Sequence, residues 1–272
     1  MEIKYFCPQW GSNHLDFNVF LKNVKSSGFD GVEMSLPVDG REKAEILQLI
    51  KEYDLLFIAQ HWETLTSDFQ THKDEFRKRL LNLVSAKPLF INSQTGKDYF
   101  SFDQNSELIE IATEISKENG VKIIHETHRG KFSFAAHITH NYLRKIPGLQ
   151  LGLDISHWCN VAESFLDDQQ DAVVLALSRT EHIHARIGYP EGPQVPDPRV
   201  PEWEEALNFH IGWWKEVINL KTMAGAPYFT ITPEFGPYPY MPILPFTRQP
   251  VSNQWDVNVF IMNKLKSVFM TE

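Results

Sequence analysis

The sequence has little cysteine, no long apolar run and a shortage of positive charge. Its two cysteines, Cys7 and Cys159, form no regularly spaced framework, which excludes a disulfide scaffold and predicts a reducing compartment. No apolar run approaches the roughly 18 residues that span a bilayer, and no basic region followed by an apolar stretch opens the chain. These absences predict a cytoplasmic protein.

Acidic residues outnumber basic ones, 35 to 26, and the formal net charge is −9. This balance opposes the phosphate attraction that drives non-specific nucleic-acid binding. We therefore expect a small polar molecule as the partner, and neither nucleic acid nor a membrane. The 272 residues, 42% of them hydrophobic, are enough for one large core, which predicts a single domain over residues 1–272.

Eight short aliphatic or β-branched runs alternate with stretches of helical periodicity. The predicted strands are Ile3 to Pro8, Gly31 to Leu36, Leu55 to His61, Leu89 to Ser93, Val121 to Glu126, Leu151 to Asp154, His182 to Arg186 and Tyr228 to Glu234. A strand, a helix and two connections occupy about 30 residues. The pattern predicts the α/β class, as a (β/α)8 TIM barrel of parallel strands.

Two segments exceed the minimal strand and helix unit. Gly188 to Pro201 carries five prolines and two glycines, and Gly236 to Pro250 is also rich in proline. We expect long loops here, after strands seven and eight, at the face where barrel enzymes build their sites. A substrate lid and a contact in a homo-oligomer are equally compatible with them.

Four acidic or imidazole residues end successive strands in the second half of the chain. We call them the strand-end set: Glu126, Asp154, His184 and Glu234. Their spacings of 28, 30 and 50 residues place them on consecutive units, the last with an insertion. Three carboxylates cannot stay ionised side by side without a cation, because like charges raise each other's pKa. The set therefore predicts one divalent ion, with Mn²⁺, Mg²⁺, Co²⁺ and Zn²⁺ all acceptable.

The chain resembles the xylose isomerase-like barrel superfamily over nearly its whole length. The resemblance rests on Glu126, on Asp154-Ile-Ser-His157, on His-Ile-His184-Ala-Arg186 and on Pro-Glu234-Phe-Gly. It is strongest to the sugar isomerase and epimerase branch, which includes ketose 3-epimerases and hydroxypyruvate isomerase. The resemblance implies that the strand-end set holds one metal ion.

The same resemblance implies roles for individual residues. Glu126 and Glu234 would be catalytic, exchanging protons with carbon on opposite faces of the substrate while an enediolate is stabilised. His157 and Arg186 match positions that bind substrate oxygen atoms, although Arg186 follows His184 more closely than in the epimerases. Glu33 and His61 match strand ends at the barrel mouth and are expected to contact substrate hydroxyls.

Endonuclease IV shares this superfamily and is a rival interpretation. His61 and His157 would fit its extra zinc ligands. However, Asn92-Ser93 stands where a histidine would be expected, and Asp197-Pro-Arg199 replaces an aspartate followed two residues later by histidine. With two ligands missing and an acidic charge, the sequence argues against DNA cleavage.

The sequence therefore predicts a metal-dependent sugar isomerase or epimerase acting on a small polyhydroxy carbonyl compound. A metal-dependent dehydratase of the inosose or dehydroshikimate type needs the same proton removal and is the main alternative. A catalytically silent metal-binding or sugar-binding protein is the third.

Overall fold

The computed structural model describes residues 1–269, and within them the strands close into one parallel barrel. The strands are β1 (Glu2–Pro8), β2 (Gly31–Met34), β3 (Leu56–His61), β4 (Ile91–Ser93), β5 (Ile123–Glu126), β6 (Leu151–Leu153), β7 (Thr180–His184) and β8 (Tyr228–Thr232). Each pairs with its neighbours in sequence, and β1 pairs with β8 to complete the ring. The predicted barrel is confirmed, and every predicted strand overlaps an observed one.

The helices lie around the barrel and return the chain to its opposite end. They are α1 (Phe17–Ser26), α2 (Gly40–Glu52), α3 (Phe69–Val84), α4 (Phe102–Asn119), α5 (Ala136–Lys145), α6 (Ser156–Ala162), α7 (Gln170–Ser178), α8 (Glu204–Met223) and α9 (Gln254–Phe269), with a 3-10 helix at Pro201–Trp203. Local sequence fixes several ends. Asp16 and Asp39 accept backbone N–H groups at the starts of α1 and α2, and Gly120 ends α4 at a φ of 68°.

The lower part of the barrel interior is closed by an apolar layer. It consists of Phe6, Ile58, Phe90 and Ile124. Phe6, Ile58 and Ile124 come from β1, β3 and β5, and Phe90 immediately precedes β4. Barrel interiors are filled by such stacked layers, so the barrel has a solid floor and opens only at its other end.

Long loops follow β7 and β8, as their residue ranges show. The chain runs from His184 to the 3-10 helix at Pro201, and from Thr232 to α9 at Gln254. Each loop contains an isolated antiparallel bridge. Tyr189 pairs with Gly192 in the first loop, and Ile243 pairs with Pro250 in the second. No helix within residues 1–269 is long and apolar enough to cross a membrane.

Candidate metal centre

The structure brings the strand-end set together above the apolar layer. Each member offers one ligand atom, and these atoms all lie within 4.8 Å of one another. Alternation along the strands explains the convergence, because residues two apart share a face. Ile124 and Glu126 both point inward on β5, as do His182 and His184 on β7. All four members of the set are buried.

Hydrogen bonds orient the carboxylates of the set. Gln94 donates to Glu126 Oε1 at 3.1 Å, and Gln60 donates to Glu234 Oε1 at 3.0 Å. The backbone N–H and hydroxyl of Ser156 donate to Asp154 Oδ1 at 3.1 and 2.5 Å. Each of these donors is hydrogen-bonded to one oxygen of a carboxylate. The bonds hold the carboxylates in defined rotamers despite their mutual repulsion.

His184 supplies the clearest sign that the set suits a metal ion. Its Nδ1 lies 2.9 Å from Glu234 Oε2 and 3.7 Å from Glu126 Oε1, yet has no properly oriented hydrogen-bond partner among the described residues. Its Nε2 lies 2.9 Å from Glu33 Oε1. A carboxylate behind a histidine fixes the tautomer that turns the other nitrogen toward a metal. Three carboxylates and one imidazole therefore fit a hard or borderline divalent ion.

Glu33 lies beneath this centre and does not reach the cavity that a substrate could enter. Its side chain is 1% exposed and is surrounded by barrel residues. Its two oxygens face His182 Nε2 at 3.1 Å, His184 Nε2, the Thr232 hydroxyl at 2.5 Å and Asn92 Nδ2 at 3.2 Å. The position corrects the expected substrate contact: Glu33 supports His184 from below.

His61 also lies away from the substrate side, because it points outward from the barrel. Its ring lies edge-on to Phe76 of α3, with the ring centroids 5.2 Å apart. Its Nδ1 lies 2.9 Å from Ser93 Oγ, and its Nε2 lies 2.8 Å from Thr64 Oγ1. The inward residue of β3 is the preceding one, Gln60. Our expectation had the wrong face of the strand, since a shift of one residue reverses the direction of a side chain.

Arg186 lies directly beside the strand-end set and is almost fully buried. Its Nε donates to Asp154 Oδ2 at 3.0 Å, and its Nη2 donates to Glu234 Oε2. The guanidinium lies over the rings of Tyr240 and Trp10, 4.6 and 5.4 Å from their centroids. Arg186 lines the cavity, as a contact with substrate requires, but it also binds two of the expected metal ligands.

His157 and His128 form a second pair of imidazoles beside Glu126. Their ring centroids are 4.0 Å apart, and ligand atoms of the three residues lie within 4.8 Å of one another. Neither ring nitrogen of His157 has a hydrogen-bond partner within residues 1–269. His128 Nδ1 faces the Arg129 carbonyl at 2.6 Å, and its Nε2 lies 3.5 Å from the Tyr240 hydroxyl. The strand pattern places His128 on the same face as Glu126 but predicts no role for it.

Burial and mutual charge shift the pKa values of the set in opposite directions. Burial raises the pKa of Glu126 to about 8, and although His184 opposes this, Glu234 and Asp154 reinforce it. Burial also raises the pKa of Asp154, with partial relief from Arg186. For Glu234, burial is outweighed by His184 and Arg186, so its pKa is lowered. The metal-free site thus has one carboxyl that holds a proton near neutral pH and one that stays ionised.

A cavity of about 460 Å³ opens beside Glu234, the member of the set that lines it, and we call it the mouth cavity. The first half of the barrel contributes amides and aromatic rings to its wall: Gln9, Trp10, Asn13, Gln60, Trp62 and Gln94. The second half contributes His128, Arg186, Glu234 and Tyr240. Amides both donate and accept hydrogen bonds, and aromatic faces pack against apolar faces, so the wall suits a molecule rich in hydroxyl groups.

Comparison with solved structures agrees with this architecture. A xylose isomerase domain containing protein from Salmonella typhimurium LT2 is 13% identical with a TM-score of 0.63, covering 98% of this chain and 97% of that one. The probable 3-DHS dehydratase of petrobactin synthesis from Bacillus anthracis is 17% identical with a TM-score of 0.61, covering 97% and 98%. The 3-keto-D-glucoside 4-epimerase from E. coli is 13% identical with a TM-score of 0.61, covering 98% and 100%.

No protein-family model and no curated protein matches the sequence. The structural likenesses show that the chain shares the barrel fold of these proteins, as its strand pattern predicts.

Proposed function

We propose that the protein is a divalent-metal-dependent isomerase or epimerase of an uncharged polyhydroxy carbonyl compound. The observation that carries the proposal is the convergence of the strand-end set within 4.8 Å, with Glu234 lining the mouth cavity. Solved structures of the same fold include a sugar epimerase and a dehydratase, whose reactions agree with this assignment.

The strand-end set would hold the metal, with His184 binding through Nδ1. A bound divalent ion would supply Lewis-acid polarisation of the substrate carbonyl and its neighbouring hydroxyl. Glu126 and Glu234 then act as the proton-transfer pair. One carboxylate removes the proton next to the carbonyl and the other returns a proton to carbon, which requires groups in different protonation states. In the metal-free site their pKa values are already shifted in opposite directions.

The remaining cavity residues bind and orient the substrate. Gln60 and Gln94 each bind a proton-transfer carboxylate and also line the cavity, so they can hold the carboxylate and a substrate hydroxyl together. Arg186 Nη1 is buried without a hydrogen-bond partner among the described residues, and it can donate to an oxygen that becomes negative. His157 is buried behind the cavity wall, where its Nε2 lies 3.5 Å from Asp154 Oδ2.

The charge of the cavity argues for a substrate without phosphate or carboxylate. Among the described residues that line the cavity, Arg186 is the one Lys or Arg side chain, and two carboxylates already bind it. A nuclease is equally disfavoured, because His61 points away from the cavity and Arg199 pairs with Asp197 at 2.6 Å. Hydroxyl-rich, neutral sugars match the amide and aromatic wall.

A dehydratase remains the second candidate, since it needs the same first proton transfer. It also needs an acid for the departing hydroxyl. The imidazole that lines the cavity, His128, has its pKa lowered by burial to about 3 and is therefore neutral. The pKa of His157 is likewise held well below its ordinary value by burial. Neutral imidazoles are poor acids, so these two side chains do not supply the acid that a dehydratase needs.

The test is to load the protein with Mn²⁺ and incubate it in D₂O with a panel of neutral ketoses, aldoses, keto-glycosides and inososes. Deuterium at carbon without loss of water supports the isomerase, whereas loss of water supports the dehydratase. Mass spectrometry and NMR distinguish the two. Absence of metal uptake by the wild-type protein, or metal affinity unchanged in Asp154→Ala, would refute the metal centre itself.

A further inference from the structure

The guanidinium of Arg186 is hydrogen-bonded to two members of the strand-end set. It binds Asp154 through Nε and Glu234 through Nη2. Arg186 is 1% exposed and its two acceptors are 0% and 3% exposed, so water screens these contacts very little. Two of the four expected metal ligands are thus already bound to a permanent cation, because an arginine does not lose its proton in proteins.

The surroundings keep this guanidinium where it is. Tyr240 lies 4.6 Å from it and Trp10 lies 5.4 Å from it, measured to the ring centroids, and the two rings contact each other edge-on at 5.1 Å. Trp10 follows β1 and Tyr240 follows β8, so both loops hold the guanidinium against the carboxylates. Cation and ring contacts of this kind add to its stability in a buried position.

We propose that Arg186 is a built-in counter-cation of the strand-end set, which holds Asp154 and Glu234 in place without metal and weakens the binding of metal. The inference rests on the metal site of the proposed function. A metal ion bound to Asp154 and Glu234 would share the charge of these two carboxylates with the guanidinium and be repelled by it. In the metal-free protein, the same guanidinium offsets the repulsion among the three buried carboxylates. Both effects make the metal readily exchangeable.

Replacing the guanidinium by an uncharged side chain of similar length tests the proposal. We expect Arg186→Met to bind Mn²⁺ at least about tenfold more tightly than wild type, because repulsion between a divalent ion and a neighbouring cation has that size even when water screens it. Titration calorimetry on chelator-stripped protein measures the affinity. The metal-free variant should also unfold at lower denaturant concentration, and added Mn²⁺ should restore more stability to it than to wild type.

Two further variants separate charge from geometry. Arg186→Lys keeps the charge but loses the planar fork, so its Mn²⁺ affinity should stay within about threefold of wild type while its metal-free form is destabilised. Arg144→Met removes an exposed arginine at the end of α5 and should change neither quantity. If Arg186→Met does not fold without metal, Arg186→Gln refolded with Mn²⁺ and titrated with a competing chelator gives the same comparison.

Affinity in Arg186→Met or Arg186→Gln that equals or falls below that of wild type would overturn the role of Arg186. That outcome differs from failure of the proposed function, in which the wild-type protein itself takes up no Mn²⁺. Both readouts are binding and stability measurements, so neither depends on knowing the substrate.

Discussion

The interior of the barrel has two levels, and they are built in opposite ways. The apolar layer, Phe6, Ile58, Phe90 and Ile124, consists of side chains without polar groups. One level higher, almost every inward side chain is charged or polar and several polar atoms lack partners within residues 1–269. The two levels touch where Phe90 packs against the His182 ring at 5.3 Å. The lower level stabilises the barrel, which lets the upper level keep groups that destabilise it.

The largest expected effect comes from removing a proton-transfer group at the upper level. Glu234→Gln preserves shape but cannot take up a proton, so we expect the deuterium exchange rate to fall by about 10³-fold. NMR of the substrate panel in D₂O measures the rate. Glu110→Gln, on the exposed side of α4, is the matched control and should keep wild-type exchange. Exchange within tenfold of wild type in Glu234→Gln would contradict its assigned role.

The apolar layer should show the opposite behaviour. Phe6→Ala opens a cavity in the floor, and we expect it to lower the free energy of unfolding by about 3–4 kcal/mol. Mn²⁺ affinity should be nearly unchanged where the variant is folded. Phe246→Ala is the matched control, because Phe246 is fully exposed, and it should cost less than about 0.5 kcal/mol. Denaturant unfolding measures both, and equal losses would show that the floor does not carry the stability.

A buried histidine in the helix layer should make the fold less stable when it is protonated. Burial lowers the pKa of His210 on α8 to about 4, and its nitrogens contact Ala206 O and Gly188 N. The neutral ring favours the fold, so this stability is present above the unfolded pKa of about 6.5 and is lost as pH falls through 4. We expect His210→Gln to remove about 3 kcal/mol of that acid sensitivity. Unfolding in the presence of a chelator at pH 7 and pH 4 measures it, and an unchanged pH dependence would contradict it.

The smallest effect compares consecutive residues on the two sides of the barrel wall. Gln60→Ala should raise KM by about tenfold with little change in stability, since Gln60 lines the cavity. His61→Ala should leave KM unchanged and cost about 1–3 kcal/mol of stability, because it strips the contacts with Ser93 and Thr64. Steady-state kinetics and denaturant unfolding separate the two, and the reverse result would restore His61 to the substrate side.

The strand order and the strand-end set could be predicted because both depend on local pattern. A parallel strand that ends in a polar residue before a turn puts that residue at the barrel mouth, wherever the strand lies in the sheet. Asp154, His184 and Glu234 therefore needed no knowledge of their neighbours. The closed barrel then brings the four strand ends to one point.

Depth inside the barrel could not be predicted in the same way. Glu33 points inward as expected, but it pairs with Ile58, a member of the apolar layer, and so lies lower than its place near the end of β2 indicates. Strands in a barrel are staggered, and the stagger is a property of the whole sheet. The loop residue Tyr240 was missed for another reason, since no periodicity constrains a loop.

The walls of the mouth cavity divide by half-barrel. The amides and most of the aromatic rings come from residues 9–94, whereas the whole strand-end set comes from residues 126–234. The amide and aromatic part of the wall and the strand-end set therefore lie largely in separate stretches of the chain. Under the proposed function, substitutions in the first half, such as at Gln9, Asn13 or Trp62, should change substrate preference while leaving the strand-end set intact. For protein engineering, the first four loops are the place to diversify and the last four strands are the part to leave alone.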